Sequence, residues 1–124
     1  MGGVGVDRKA FGDAGETLAA EAFVRAGFVI RDRNVHCRRG EIDIVAEKGQ
    51  LLVFVEVRMR TSAEWGDPAL SVHRGKQLKV IYSAMEYVQK HRLTDRMIRF
   101  DVASVVGRGR TAVVELIPNA FEAF

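Results

Sequence analysis

The sequence predicts a single α/β domain with a central mixed β-sheet flanked by helices, in the order α-β-β-β-α-β-β. Three observations carry that expectation. Two helical patterns are separated by a meander of three strand patterns. A closing strand pair follows the second helix. The length of 124 residues suits one sheet-based core and leaves little room for a second. Hydrophobic residues make up 48% and charged residues 28%, a balance that argues against a disordered chain.

The elements follow in order. Residues 1–12 are Gly-rich and expected to fray, which leaves 13–124 as the domain. Asp13 with Glu16 three positions on reads as a capping box. Leu18, Ala19, Ala22, Phe23 and Ala26 then recur at helical spacing as far as Gly27, which predicts a helix over about 14–26. A first strand is expected over 28–35, with a turn at Arg38-Arg39-Gly40. Ile42, Ile44 and Ala46 alternate with Glu41, Asp43 and Val45, the period of a second strand. Glu47-Lys48-Gly49-Gln50 is the next turn, and the apolar run 51–57 reads as a central third strand. A loop around Trp65-Gly66-Asp67-Pro68 leads to Ser71, the expected cap of a helix over about 72–90. The stripe predicted for that helix is Leu78, Ile81, Tyr82, Met85 and Val88. Strands are expected over 98–106 and 111–117, joined at 107–110 and ended by Pro118.

Lys and Arg number 19 against 16 Asp and Glu, a net charge of +3. The basic residues cluster: Arg31, Arg33, Arg38 and Arg39 form one group, and Arg58, Arg60, His73, Arg74, Lys76 and Lys79 another. Such groups suit a polyanionic partner and equally suit a solvated basic face. A single cysteine, Cys37, rules out an intramolecular disulfide and leads us to expect a reducing, cytoplasmic setting. One Cys with three scattered His residues has no zinc-ligand spacing. The first residues lack the pattern of a secretory signal, and no apolar run approaches the ~20 residues that span a bilayer.

The informative stretch is Gly40-Glu41-Ile42-Asp43-Ile44-Val45-Ala46, a turn, then Val53-Phe54-Val55-Glu56-Val57-Arg58. A hairpin closed at Lys48-Gly49 pairs Ala46 with Leu51, Asp43 with Phe54, and Glu41 with Glu56. Asp43 and Glu56 then share a face as diagonal neighbours, ~7–8 Å apart at Cα, with Arg58 on the same side. Ile42, Ile44, Leu51, Val53, Val55 and Val57 fall on the other. Two carboxylates are what a hard cation such as Mg²⁺ or Mn²⁺ takes from protein, the rest of its sphere being water and substrate phosphate. The Val57 carbonyl is a candidate third ligand. Such a cation lowers the pKa of a bound water and clamps a scissile phosphate, while Arg58 neutralises developing charge. Glu16, on the sheet-facing edge of the first helix, is a candidate for orienting the nucleophilic water. Each residue also has a structural reading. Glu56 suits a buried carboxylate paired with Arg58 or Arg60, and Glu16 suits a helix cap. Glu41 suits a solvated strand edge, and Asp101 an ion pair with Arg99.

An acid followed by acid-x-basic on a hairpin, after a helix carrying Glu, resembles the PD-(D/E)xK nuclease superfamily. More closely, the chain resembles the YraN family of bacterial proteins. The matching segments are Gly15-Glu16, Arg33-Asn34, Gly40 to Ala46, Val53-Phe54-Val55-Glu56-Val57-Arg58-x-Arg60, Lys76-Gln77 and Arg99-Phe100-Asp101-Val102. They span nearly the whole chain in order. The resemblance implies a restriction-endonuclease-like fold related to Holliday-junction resolvases. It maps the metal acids onto Asp43 and Glu56, the helix acid onto Glu16 and the basic position onto Arg58. The superfamily usually has Lys at that last position, and Arg is never deprotonated, so Arg58 cannot be a general base. Lys76 and Gln77 at the start of the second helix are candidates to stand in, and Arg60, Lys76 and Gln77 to contact nucleic acid.

The expected function is therefore Mg²⁺- or Mn²⁺-dependent hydrolysis of phosphodiester bonds in DNA, with branched or damaged DNA among the candidate substrates. The alternative is a nucleic-acid-binding module without catalysis. A third class is a partner-binding domain that uses Trp65 as its anchor. The resemblance leaves a homodimer open, and fold alone does not fix activity.

Overall fold

The computed structural model describes residues 3–60 and 72–123, with side chains from Asp13 onward. The elements are α1 (Gly3–Arg25), β1 (Val29–Cys37), β2 (Gly40–Lys48), β3 (Leu51–Arg60), α2 (Arg74–Lys90), β4 (Met97–Val106) and β5 (Val113–Phe121). The five strands form one sheet in sequence order. All neighbours are antiparallel except β3 and β4, which run parallel. That parallel pair requires a crossover, and α2 supplies it. The result is the mixed, helix-flanked sheet of a restriction-endonuclease-like α/β fold.

The sheet is covered on both faces. Ala19, Ala20 and Phe23 of α1 pack on Ile44, Ala46, Val53, Val55, Val57, Ala103 and Val105. Val80, Ile81, Ala84, Tyr87 and Val88 of α2 pack on Ile42, Val45, Leu52, Phe54, Phe100 and Val102. β3 is therefore apolar in both directions, as a central strand must be, and its residues from Leu52 to Val57 are all buried. The α2 stripe differs from the one expected. Tyr82 and Met85 stand exposed, and Val80, Ala84 and Tyr87 take the core positions. Ile81 and Val88 are buried and Leu78 packs against the same cluster as expected, so the core face is the predicted stripe rotated towards Val80, Ala84 and Tyr87.

Several boundaries also move. α1 begins at Gly3, and Asp13 lies inside it, where its carbonyl accepts the Thr17 hydroxyl at 2.9 Å. The expected capping box is therefore not a helix start. α2 is capped by His73, whose Nδ1 accepts the Lys76 N–H at 3.3 Å. Ser71 and the Trp65 loop lie outside the described residues. β5 runs through Pro118 and does not end there. Pro118 sits on an edge strand where the register shifts, Val102 pairing with Ile117 and Phe100 with Phe121. Edge strands and bulges are the places where a sheet tolerates a missing N–H.

Candidate active site

The β2–β3 hairpin turns on Gly49 and Gln50, so Lys48 faces Leu51, Ala46 faces Val53 and Ile44 faces Val55. This register is two residues away from the expected one, in which Ala46 met Leu51. A slip of two keeps side chains on their faces, but it moves Asp43 from a diagonal of Glu56 to the position opposite it, one step beyond the last pair, Ile44 with Val55.

The assignment of all the Ile and Val residues to one face does not survive. Ile42 packs under α2, whereas Ile44 packs under α1. Residues two apart on a regular strand share a face, so β2 rolls between them, at Asp43. Its neighbour β1 rolls in step. Arg33 pairs with Ile44 and Val35 with Ile42, and between them Asn34 adopts φ 52°. Asn tolerates that left-handed conformation better than most residues with a side chain.

The roll sets Asp43 between the two helical layers. Its Oδ2 accepts the backbone N–H of Val57 at 2.8 Å, just beyond the last β2–β3 pair. Its field is felt by Glu16 of α1 and by Glu56 of β3. Glu56 is 5% exposed and points to the α2 side, where Lys76 Nζ lies 3.6 Å from its Oε1. Burial, then the nearby Asp43 charge, push its carboxyl up to about 7 against the pull of Lys76 and Arg58. Burial likewise raises Asp43, against the Val57 N–H, Lys76 and Arg58. Glu16 is raised by burial and by Asp43, and is held down by Arg33 and by a hydrogen bond with Asn34. Arg33 approaches it at 3.9 Å, and Glu16 Oε1 is buried without a hydrogen bond.

Asp43 thus stands at the strand roll with Glu16 and Glu56 around it, and its charge opposes the ionisation of both. Among the described residues, no group of three His, Cys, Asp or Glu is placed to hold a metal by side chains alone. The donor set is all oxygen, and two acids stand closest to the Val57 backbone. That fits a hard cation which keeps most of its sphere for water and phosphate. It does not fit zinc or iron. A cation here would offset the burial that raises Asp43 and Glu56 and the Asp43 charge that adds to it at Glu56.

Lys76 joins the site through Glu56, and Arg58 through its field on both acids. Gln77 does not join them. Its amide donates to the Val72 carbonyl at 2.8 Å, and its Oε1 accepts from Arg74 at 3.0 Å, so it secures the start of α2. Arg60 is the last residue of β3, half-buried, with its carbonyl accepting the Gly107 N–H. Glu41 is exposed beside His36 at 3.4 Å, and Asp101 is buried in a two-point pair with Arg99. Both hold structural or surface positions, as their sequence contexts indicated.

Two positions escaped the site reading, although their segments carried the resemblance. Asn34 bonds Glu16 and permits the roll. Gly15 lies against the Met59 thioether of β3, and a Cβ there would force that side chain to move. A Gly beside a functional acid and an Asn inside a strand were the available signals.

The element order and the mixed sheet define a restriction-endonuclease-like α/β protein in fold. The chain belongs to uncharacterised protein family UPF0102, whose model matches residues 15–105. This is the family to which the YraN resemblance pointed. A UPF0102 protein of Myxococcus xanthus is 51% identical over 117 residues, covering 94% of this chain and 93% of that protein. One from Geobacter metallireducens is 45% identical, covering 92% and 93%. One from Anaeromyxobacter dehalogenans is 43% identical, covering 98% and 90%. No helix among the described residues is long and apolar enough to cross a membrane.

Proposed function

We propose that the protein is a Mg²⁺- or Mn²⁺-dependent endonuclease that hydrolyses phosphodiester bonds in DNA. The observation that carries this reading is the convergence of Asp43 and Glu56, both with raised carboxyl pKa, beside Lys76 and Arg58. Buried acids that repel one another cost stability, and such arrangements concentrate at functional sites. Asp43 and Glu56 would hold the cation, with the Val57 carbonyl as a third donor. The cation supplies Lewis acidity and an acidified water. Arg58 and Lys76 would bind the phosphate and offset charge developing on its oxygens. Glu16, across the roll, would orient the attacking water through its free oxygen. Branched or damaged DNA is the substrate class favoured by the relation of the fold to junction resolvases.

The test is cleavage of branched, nicked and single-stranded DNA with each metal, comparing wild type with Glu56→Gln. Metal-dependent cleavage that is lost in a folded Glu56→Gln protein supports the reading. Undiminished cleavage in a chelator, or in Glu56→Gln, overturns it. The second reading, nucleic-acid binding without turnover, is favoured by Arg58 standing where a titratable Lys would serve a base. Salt-sensitive binding without cleavage in either metal would select it.

A further inference from the structure

A second feature lies along α2, outside the acid cluster. Arg39, in the β1–β2 turn, places its guanidinium 4.9 Å from the centre of the Tyr82 ring. Tyr82 is 40% exposed, although α2 offers it no core position. Arg38, Arg39, Tyr82, Met85, Glu86 and Gln89 line an open depression of about 390 Å³. Glu86 is the acid within it, and its Oε1 is engaged by the Arg38 N–H at 3.4 Å.

This depression and the site share helix α2. Lys76, paired with Glu56, and Lys79, exposed one turn further on, precede Tyr82 on the part of α2 that the core leaves uncovered. The turn residue Gly40 sits against Lys79 and Ser83, where a Cβ would be 3.3 Å from both, so the β1–β2 turn is docked on this same part of the helix. From Lys76 to Tyr82 the helix rises ~9 Å, which matches two to three stacked nucleotides at ~3.4 Å each.

We infer that this row, Lys76, Lys79, Arg39 and Tyr82, is a track for a single nucleic-acid strand leaving the acid cluster, with one base stacked on Tyr82. The inference rests on the nucleic-acid reading above and specifies its substrate as one with an unpaired segment. Lys76 and Lys79 neutralise successive phosphates. Tyr82 offers a ring whose stacking is indifferent to base identity, and Arg39 is placed to cover the far side of the base as it now covers the ring. A duplex cannot use the ring, because its bases are already stacked.

The test is fluorescence anisotropy with a labelled oligo-dT strand and a blunt duplex of equal length, in low salt with chelator, so that no cleavage intervenes. The expected result is preference for the single strand, kept by Tyr82→Phe and weakened about ten-fold by Tyr82→Ala. Arg39→Ala should weaken binding and reduce the slope of log affinity against log salt by about one. Equal binding by wild type and Tyr82→Ala, a preference for duplex, or no binding to oligo-dT would overturn the inference. Cleavage decides the nuclease reading separately. A protein that binds as expected but never cuts would retain the track and lose the catalysis, and a cutter indifferent to Tyr82→Ala would do the reverse.

Discussion

The carboxylate of Asp43 accepts the backbone N–H of Val57 at 2.8 Å. It stands in for a strand carbonyl at the point where β2 rolls away from β3 and the ladder stops at Ile44 and Val55. A candidate metal ligand is therefore also a structural acceptor. Asp43→Ala should leave a buried donor without a partner and cost about 1–3 kcal/mol. Asp43→Asn retains an acceptor oxygen and should cost less, while removing the charge a cation needs. Denaturant unfolding of both variants, beside calorimetric titration with Mn²⁺, checks this. A fully stable Asp43→Ala protein would show that the bond to Val57 contributes nothing.

That dual role marks the limit of what was legible in the sequence. Alternation identified β2, an apolar run identified β3, and the acid inside that run singled out Glu56, because strand period and burial are local properties. The restriction-endonuclease-like order of elements was equally readable. The roll at Asp43 was not, since it depends on Asn34 in the adjacent strand taking positive φ. Strict alternation therefore grouped Ile42 with Ile44, which the fold sends to opposite layers. The α2 stripe was legible in part: Leu78, Ile81 and Val88 meet the core, and Tyr82 and Met85 do not. Tyr82 and Met85 suit the helical period as well as Val80, Ala84 and Tyr87 do, and only the sheet beneath decides between them. Gln77 shows the complementary case, where a polar residue beside the site is used by the helix start.

The pH dependence of stability follows from Glu56. Its folded carboxyl titrates at about 7, against an ordinary 4.5. Between those values the folded state holds a proton that the unfolded chain has released. Stability therefore falls as pH rises from about 4.5 to 7 and levels off above, the reverse of a salt-bridged acid. The loss should be about 3 kcal/mol, in the same direction as the smaller contributions of Asp43 and Glu16. Urea unfolding from pH 5 to 8 measures it. Glu56→Gln should flatten most of the slope. Millimolar Mn²⁺ should flatten it too, since a cation binds the ionised form and raises stability chiefly at the alkaline end. A slope unaffected by Glu56→Gln would assign the proton elsewhere.

Lys76 tests the coupling between α2 and the sheet. Its ammonium, 3.6 Å from Glu56, is one of the groups that holds that carboxyl down. Lys76→Met keeps the stem and removes the charge, so Glu56 should titrate above 7. Carboxyl-selective NMR titration of wild type and variant reads the shift directly. Cation affinity at pH 7 should fall as a result, because more of the site is protonated, and should recover at pH 8. A Glu56 titration that does not move would mean that the pair is held too loosely to matter.

Arg58 decides how the basic position works. An Arg cannot give up its proton near neutral pH, so in the proposed cleavage its contribution would be electrostatic. Its field already lowers the carboxyl pKa of both Asp43 and Glu56. Arg58→Lys preserves the charge, and its cleavage rate should stay within about ten-fold of wild type. Arg58→Ala removes a charge from the developing oxyanion and should lose about 10²-fold or more. The pH–rate profile separates the alternatives. If charge alone matters, the Arg58→Lys profile follows that of wild type and gains no further limb. A new limb, with a rate above wild type, would mean that the position serves as a base when its side chain can titrate. Equal rates in all three proteins would remove Arg58 from the site.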